Sequence, residues 1–405
     1  MSSKHGKTIN IVLFSSLFPH LGEPTLGIFV KNRLKHLLED SDVKAIVVAP
    51  VPWFPFRGKL FGSYGRAAMA KLYEKEGSLE IYHPRYLVIP KIGMLLTPFF
   101  LYIAGLRVLR SLIKKEAKID IIDAHYLYPD GVAASRIGQK LNIPVVMTAR
   151  GSDVTQIADM PDPERMILKA LKSAAHTITV SQSLKLKLVS KGANGSKITP
   201  LRNGVDLEKF KWVASARSLL ADEIGFDKTK PILVFAGWLI PRKRVDIVID
   251  VIAQHLNAVA FIIGEGPLMQ ALQTQADESN VSDRVFFLGQ KQPHEMPLYF
   301  SAADILMLPS EREGWANVLL EAMACGTPVV SRAVDGACEL VTKPEAGRLV
   351  DERGLASAYT SAVVDLLENK PSRSDVRNYA LGFDWRETSR GQYDIFTKAI
   401  AEFER

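Results

Sequence analysis

Short β-branched runs alternate with helical stretches along the whole chain, and few folds tolerate that pattern. In residues 1–205 the candidate strands are Ile9–Phe14, Val43–Ala49, Leu79–His83, Ile119–Ala124, Pro144–Thr148, Thr177–Val180 and Lys197–Leu201. In residues 206–405 they are Pro231–Phe235, Val259–Ile263, Val285–Leu288, Asp304–Leu308, Pro328–Ser331 and Gly347–Val350. Many are unbroken apolar runs, the way strands read when helices cover both faces of a parallel sheet. The alternation predicts an α/β chain with doubly wound sheets. At 405 residues it exceeds one ordinary core, so two domains are expected. The boundary is placed at 205/206, ahead of a polar stretch that runs to Lys230. Ligands of such sheets bind beyond the carboxyl ends of the strands, so two domains facing each other are expected to hold the site in a central cleft.

Charge divides with the halves. Residues 1–205 carry 29 Lys and Arg against 15 Asp and Glu, and residues 206–405 carry 22 against 29. A basic half beside an acidic one points to an anionic surface or substrate met by the first half. No zinc-finger spacing or aromatic ribonucleoprotein signature is present, so an anionic membrane surface is favoured over nucleic acid. Cys325 and Cys338 cannot form a disulfide framework or a metal cluster, which fits a reducing, cytoplasmic setting. Ile9–Phe14 is too short for the apolar core of a secretory signal and reads as a strand.

The run Glu313-Gly314-Trp315-Ala316-Asn317-Val318-Leu319-Leu320-Glu321, continued by Ala322-Met323-Ala324-Cys325-Gly326-Thr327-Pro328, carries the sharpest chemical signal. Its carboxylates bracket what reads as a helix start at residues 315–317. The unpaired N–H groups there, with the positive end of the helix dipole, suit a diphosphate. Gly314 lets backbone approach a ligand, Glu313 can accept from sugar hydroxyls, and Glu321 from ribose hydroxyls. Upstream, Gly237-Trp238-Leu239-Ile240-Pro241-Arg242-Lys243-Arg244 follows a predicted strand. A strand ending in Gly, then basic residues, then a helix is a diphosphate clamp in outline. A nucleoside diphosphate leaves once its charge is neutralised. Cations and a helix N-terminus can do that, so metal-independent transfer is expected, with no cofactor beyond the sugar nucleotide.

These motifs resemble those of retaining glycosyltransferases of family 4, the group 1 enzymes of the GT-B fold, many of which build bacterial polysaccharides and glycolipids. The Glu313–Glu321 run resembles the family's E-x7-E signature, with Trp315-Ala316 where Phe-Gly is usual. Lys243 matches the family's Lys, whereas Trp238 stands where an Arg is common and Arg244 where a Gly is common. Gly264-Glu265-Gly266-Pro267 resembles the family's Gly-x-Gly-Pro turn, and Leu288-Gly289-Gln290-Lys291 its base-reading segment. The resemblance implies donor contacts from Gly27, Gly237, Gly266, Gln290, Gly314, Trp315, Ala316, Asn317 and Glu321. It places Glu313, Lys243, Arg242 and Arg150 at the reacting centre, and it implies retention of anomeric configuration.

In the first half, Thr25-Leu26-Gly27-Ile28-Phe29-Val30 resembles the family's first glycine loop. Asp123-Ala124-His125 and Thr148-Ala149-Arg150-Gly151-Ser152-Asp153 end two predicted strands. The family often has His at position 150. Arg150 stays protonated and cannot act as a base, so it binds the sugar or an anionic acceptor, or pairs with Asp153. His125 and Asp153 are candidates for acceptor binding, with a hydrogen-bonded structural His as the other reading of His125. From Phe383-Asp384-Trp385 onward the chain resembles the terminal helix that crosses back to the first domain, about 384–405.

Residues 92–106 are uncharged, with Pro98 inside, and too few to span a bilayer. They read either as a helix buried on the sheet or as an interfacial helix, flanked by Lys91 and by Arg107, Arg110, Lys114, Lys115 and Lys118. Trp53-Phe54-Pro55-Phe56-Arg57-Gly58-Lys59-Leu60-Phe61 adds aromatic and basic residues in a loop. The expected activity is transfer of a hexose-type sugar from UDP or GDP to a lipid-linked or polysaccharide acceptor at the inner face of the plasma membrane. The competing readings are a UDP-sugar epimerase of the same fold, which needs a base at the sugar, and a non-catalytic basic binding module. A nicotinamide dehydrogenase is disfavoured, because no Gly-x-Gly-x-x-Gly follows the first strand.

Overall fold

The computed structural model describes residues 8–89, 93–254, 257–351 and 355–405. Two compact units divide the chain: residues through Arg202 with Trp385–Arg405, and Asn203–Asp384.

The first unit contains β1 (Ile9–Phe14), β2 (Val43–Val48), β3 (Val51–Pro52), β4 (Tyr73–Glu76), β5 (Leu79–Tyr82), β6 (Arg85–Tyr86), β7 (Ile121–His125), β8 (Val145–Ala149), β9 (His176–Thr179) and β10 (Ile198–Pro200). Eight of them form one sheet in the order β10-β9-β8-β7-β1-β2-β5-β4, and β3 pairs with β6 beside it. Only the edge strand β4 runs antiparallel to its neighbour. The period-2 geometry of β1 explains the unbroken apolar run. Ile9, Ile11 and Leu13 enter a core capped by the helices Ile28–Asp40 and Trp385–Phe403, through Val30, Leu34, Leu37, Phe396 and Ala399. Phe14 points the other way, where Gly105 of the helix Gly93–Lys114 lies against its ring. With helices on both faces, neither set of side chains needs to be polar.

The second unit holds β11 (Ile232–Ala236), β12 (Val259–Ile263), β13 (Val285–Gly289), β14 (Ile305–Leu308), β15 (Val329–Arg332) and β16 (Gly347–Val350). Their order, β13-β12-β11-β14-β15-β16, is the doubly wound Rossmann order, and every pair is parallel. The order reverses between β11 and β14, which opens a crevice at their carboxyl ends. The loops leaving β11 and β12 lock together there. Gly237 N–H donates to Ile263 O at 2.9 Å, and Leu239 N–H to Glu265 O at 2.9 Å. A Cβ on Gly264, at φ 143°, would lie 1.9 Å from Gly237 O, and one on Gly266 would lie 2.4 Å from Leu239 O.

The strands expected from sequence all appear, shifted at most a few residues. Three were not foreseen: β3 and β6 are two residues long, and β4 is a polar hairpin arm without alternation. The uncharged stretch becomes the start of the helix Gly93–Lys114, which runs on through Arg107 and Arg110. Lys91 and Ile92 lie outside the described residues. The helix is only partly buried on the sheet. Leu101, Ala104, Leu109 and Leu112 are buried, whereas Met94, Leu95, Leu96 and Phe99 are exposed.

Because Gly264 joins a left-handed backbone to a backbone contact, Gly264→Ala is expected to destabilise by about 3 kcal/mol. Denaturant unfolding measures this, and a loss below about 0.5 kcal/mol would contradict the interlock.

Candidate active site

Lys243 and Glu313 come from the two strands that flank the switch point of the second sheet. Lys243 sits in the 3-10 turn Pro241–Lys243 after β11, and Glu313 in the loop after β14. Lys243 Nζ donates to Glu313 Oε1 at 2.7 Å, and both side chains are largely buried. Arg242 Nη1 lies 4.0 Å from the same oxygen and donates to Arg312 O at 2.8 Å. Glu311 N–H donates to Arg242 O at 2.9 Å, tying the two loops together. Arg244, by contrast, is turned onto Asp246, with Nη2 to Oδ2 at 2.8 Å, and holds a left-handed backbone at φ 48°. That conformation is one glycine adopts without strain. Trp238 stands 64% exposed beside the clamp.

The segment from Gly314 differs from expectation. The helix runs Asn317–Ala324 and does not begin at Trp315. Trp315 turns inward, its indole N–H donating to Asn203 O at 3.1 Å and its ring against Phe383. Asn317 N–H is thereby bent onto Trp315 O at 3.2 Å, and Leu319 N–H bonds Ala316 O at 3.0 Å. Any donor contact at Trp315 is thus left to its backbone. Asn203 Nδ2 also donates to Asn317 Oδ1 at 3.2 Å, so Asn203 steadies the helix start from both sides. Gly336 lies so close that a Cβ there would be 2.6 Å from Gly314 O. Neither Asn203 nor Gly336 was singled out from sequence, since Asn203 acts on partners distant in sequence and Gly336 through close backbone approach, neither of which a motif displays.

Glu321 lies in the helix beyond Asn317 and outside the Lys243–Glu313 pair. Burial pushes its carboxyl up to about 7, and Lys209 opposes the shift. Gly237 and Gly266 belong to the interlocked loops, where backbone contacts already account for Gly266. Gln290 is exposed just beyond β13. Among the described residues no group of three His, Cys, Asp or Glu could hold a metal ion.

In the first unit the sheet order reverses between β7 and β1. Ser16, after β1, is held there by Asp130, which accepts from its N–H at 2.6 Å and its Oγ at 2.9 Å. Gly27 starts the helix Ile28–Asp40 at φ 60°, and a Cβ on it would lie 2.1 Å from Leu17 O. Arg150 Nη2 lies 2.5 Å from His125 Nδ1, and its guanidinium lies over the Phe29 ring at 5.3 Å. His125 Nε2 lies 3.0 Å from Asp123 Oδ2. Because Arg150 can only donate, His125 Nδ1 accepts and Nε2–H donates to Asp123. Burial lowers the His125 pKa to about 4, so the ring is neutral near pH 7. The chain of bonds continues inward: Gln392 Nε2 donates to Asp123 Oδ2 at 2.9 Å, and Arg33 Nε to Gln392 Oε1 at 2.7 Å.

His125 and Asp153 were expected at the acceptor, yet both are buried with their polar atoms engaged. Asp153 accepts from Leu127 N–H at 2.8 Å, Gly151 N–H at 2.8 Å and Arg150 N–H at 3.1 Å. They therefore shape the strand-end loops rather than offer groups to a ligand. Asp153 accepts from the Arg150 backbone N–H, and its charge also acts on the Arg150 guanidinium. Arg150 is itself nearly buried, and burial beside Arg33 holds it well below the usual arginine range.

Doubly wound sheets of this topology recur in known proteins. Sucrose-phosphate synthase of Thermosynechococcus elongatus superposes with a TM-score of 0.78 at 18% identity, over 98% of this chain and 100% of that one. Anabaena HepE, solved in complex with UDP and glucose, gives 0.70 at 20% identity over 95% and 98%. In sequence, TuaC of Bacillus subtilis, a glycosyltransferase ascribed to teichuronic acid biosynthesis, is 25% identical over 97% of each chain. The fold is that of the GT-B glycosyltransferases. Residues 64–209 match glycosyltransferase family 4 and residues 217–382 match the glycosyl transferases group 1. The chain belongs to these group 1, family 4 enzymes.

Glu321 holds its proton to higher pH in the folded chain than in the unfolded one. Its contribution to stability is therefore greatest below about 4.5 and falls as pH rises toward about 7. Glu321→Gln escapes that loss. Its stability relative to the parent chain is expected to rise by about 2 kcal/mol between pH 4.5 and pH 8, read by denaturant unfolding at each pH. A difference that does not change with pH would show that the carboxyl titrates normally.

Proposed function

We propose that the enzyme transfers a hexose-type sugar from a nucleoside diphosphate donor to a lipid-linked or polysaccharide acceptor at the cytoplasmic membrane face, retaining anomeric configuration and without a metal. The observation that carries the donor half is the Lys243–Glu313 contact at 2.7 Å across the switch point of the second sheet. The complex of HepE with UDP and glucose supports a nucleotide-sugar donor. The link of TuaC to teichuronic acid biosynthesis supports an acceptor of the polymer or lipid-linked kind.

In this reading the donor diphosphate lies against Lys243 and Arg242, whose charge stabilises the departing nucleoside diphosphate. Released from Lys243, Glu313 accepts from the sugar hydroxyls, while Glu321 accepts from the ribose. Neither carboxylate moves a proton from carbon, which separates transfer from epimerisation. The leaving phosphate oxygen, on the side from which the acceptor approaches, takes the acceptor's proton in front-face attack. Arg150, positioned by His125, is the first unit's candidate for binding an anionic acceptor.

Lys243→Met and Glu313→Gln are each expected to lower turnover of the preferred sugar nucleotide at least 100-fold, the scale of losing one charged partner of a transition state. A thermal-shift panel of UDP, GDP and ADP with their sugars selects the donor, because bound ligand raises Tm by mass action. Unchanged turnover in both variants would remove the donor site from this crevice, and an inverted product anomer by NMR would remove the retaining mechanism.

A further inference from the structure

The first unit exposes an apolar tip that the proposed chemistry does not use. After β3 the chain makes a loop and the short helix Gly62–Ala67, where Phe54, Phe56, Phe61 and Tyr64 stack on one another with ring centroids 5.2–6.1 Å apart. This cluster stands outside the core. Leu60 is 91% exposed, Phe56 56% and Trp53 53%. Trp53 N–H donates to Tyr86 O at 2.7 Å, which sets the loop beside β6 and the exposed Leu87 and Ile89. The helix Gly93–Lys114 packs on β6. Its first turns add Leu95, Leu96 and Phe99 to the exposed surface. Tyr128 Oη, donating to Met94 O at 2.5 Å, fixes that end of the helix to the sheet.

Within its own two segments the charges of this tip are of one sign, and Arg66 is paired with Glu23 at 3.0 Å. Residues 53–73 contain Arg57, Lys59, Arg66 and Lys71 and no acid, and residues 93–115 contain Arg107, Arg110, Lys114 and Lys115 and no acid. Among the described residues no ion pair is formed by Arg57 or Lys59. Along the exposed side of the helix the apolar positions Leu96 and Phe99 give way to Arg107, Arg110 and Lys114. Phe99 and Arg107 are about 12 Å apart along the axis, at a rise of about 1.5 Å per residue. Interfacial segments sink by about 5–10 Å, so a tip in the acyl boundary leaves those cations at the level of the phosphates. Single exposed apolar residues are ordinary, but exposed apolar clusters on neighbouring elements, flanked mainly by cations, mark a contact surface.

We propose that Trp53, Phe56, Leu60, Phe61 and the first turns of the helix Gly93–Lys114 form a tip that inserts into the surface of an anionic bilayer, with Arg57, Lys59, Arg107 and Arg110 engaging lipid phosphates. The proposal deepens the reading that the acceptor is met at a membrane, and it rests on that reading for its purpose. Lipid is favoured over a protein partner because the aromatic cluster combines apolar bodies with flanking cations, and the acid beside it, Glu23, is already engaged by Arg66.

Co-sedimentation of the full chain with phosphatidylcholine vesicles, with and without phosphatidylglycerol, is measured without nucleotide, so that it stands apart from the donor site. Binding to the anionic vesicles is expected, weakening with salt. Leu60→Asp combined with Phe99→Asp lowers the partition coefficient at least ten-fold. Arg57→Gln and Lys59→Gln each lower it about five-fold on anionic vesicles only. Brominated lipid quenches tryptophan fluorescence in the parent chain, and Trp53→Phe abolishes most of the quenching. Retained nucleotide-induced thermal shifts certify that the variants fold. Equal pelleting of the parent chain with neutral and anionic vesicles, parent-like pelleting of the Asp variants, or a concentration-dependent dimer that those variants dissociate would each overturn the proposal, the last by assigning the tip to a second copy.

Discussion

Backbone packed directly on backbone sets the ground plan of the candidate active site. Where β11 and β12 end, Gly237 and Leu239 lie against Gly264 and Gly266 with no side chain between them. Two hydrogen bonds hold the loops at that spacing. The turn that carries Arg242 and Lys243 leaves from this joint, so its position is inherited from main-chain contacts rather than side-chain packing. A third loop, after β14, is then tied to the turn through Arg242 O and Arg312 O. Lys243 and Glu313 meet because three strand ends have been brought into register first.

The two units use polar groups in opposite ways. In the second, a short-range pair sits where a parallel sheet reverses its order. In the first, Arg33, Gln392, Asp123, His125 and Arg150 form a continuous buried chain from the helix Ile28–Asp40, through the helix Trp385–Phe403, to the end of β8. Buried charges of this kind are tolerated only when hydrogen-bonded to one another. The terminal helix is thus part of the support of Arg150 as well as of the hydrophobic core.

Much of this was legible in the chain. Strands covered on both faces write themselves as apolar runs, and β1, β12 and β14 are found close to where the pattern puts them. The family resemblance also marked Lys243 and Glu313, which the fold brings within 2.7 Å of each other. What escaped depended on partners distant in sequence. The inward turn of Trp315 needs Asn203 and Phe383, and it delays the helix to Asn317. The burial of His125 needs Gln392 and Arg150, which no local pattern links. The strands β3 and β6 have two residues each, too few for any periodicity to show.

The contact between Lys243 and Glu313 has a consequence for the enzyme at rest. A cation that already holds an anion is a weak trap for stray phosphate, because an incoming oxyanion must displace the carboxylate and leave it in need of a partner. In the proposed chemistry, only a ligand that brings both an anion for Lys243 and hydroxyl donors for Glu313 satisfies the two groups it separates. The pair then acts as a two-part lock, opened by a diphosphate joined to a sugar and resisted by either piece alone.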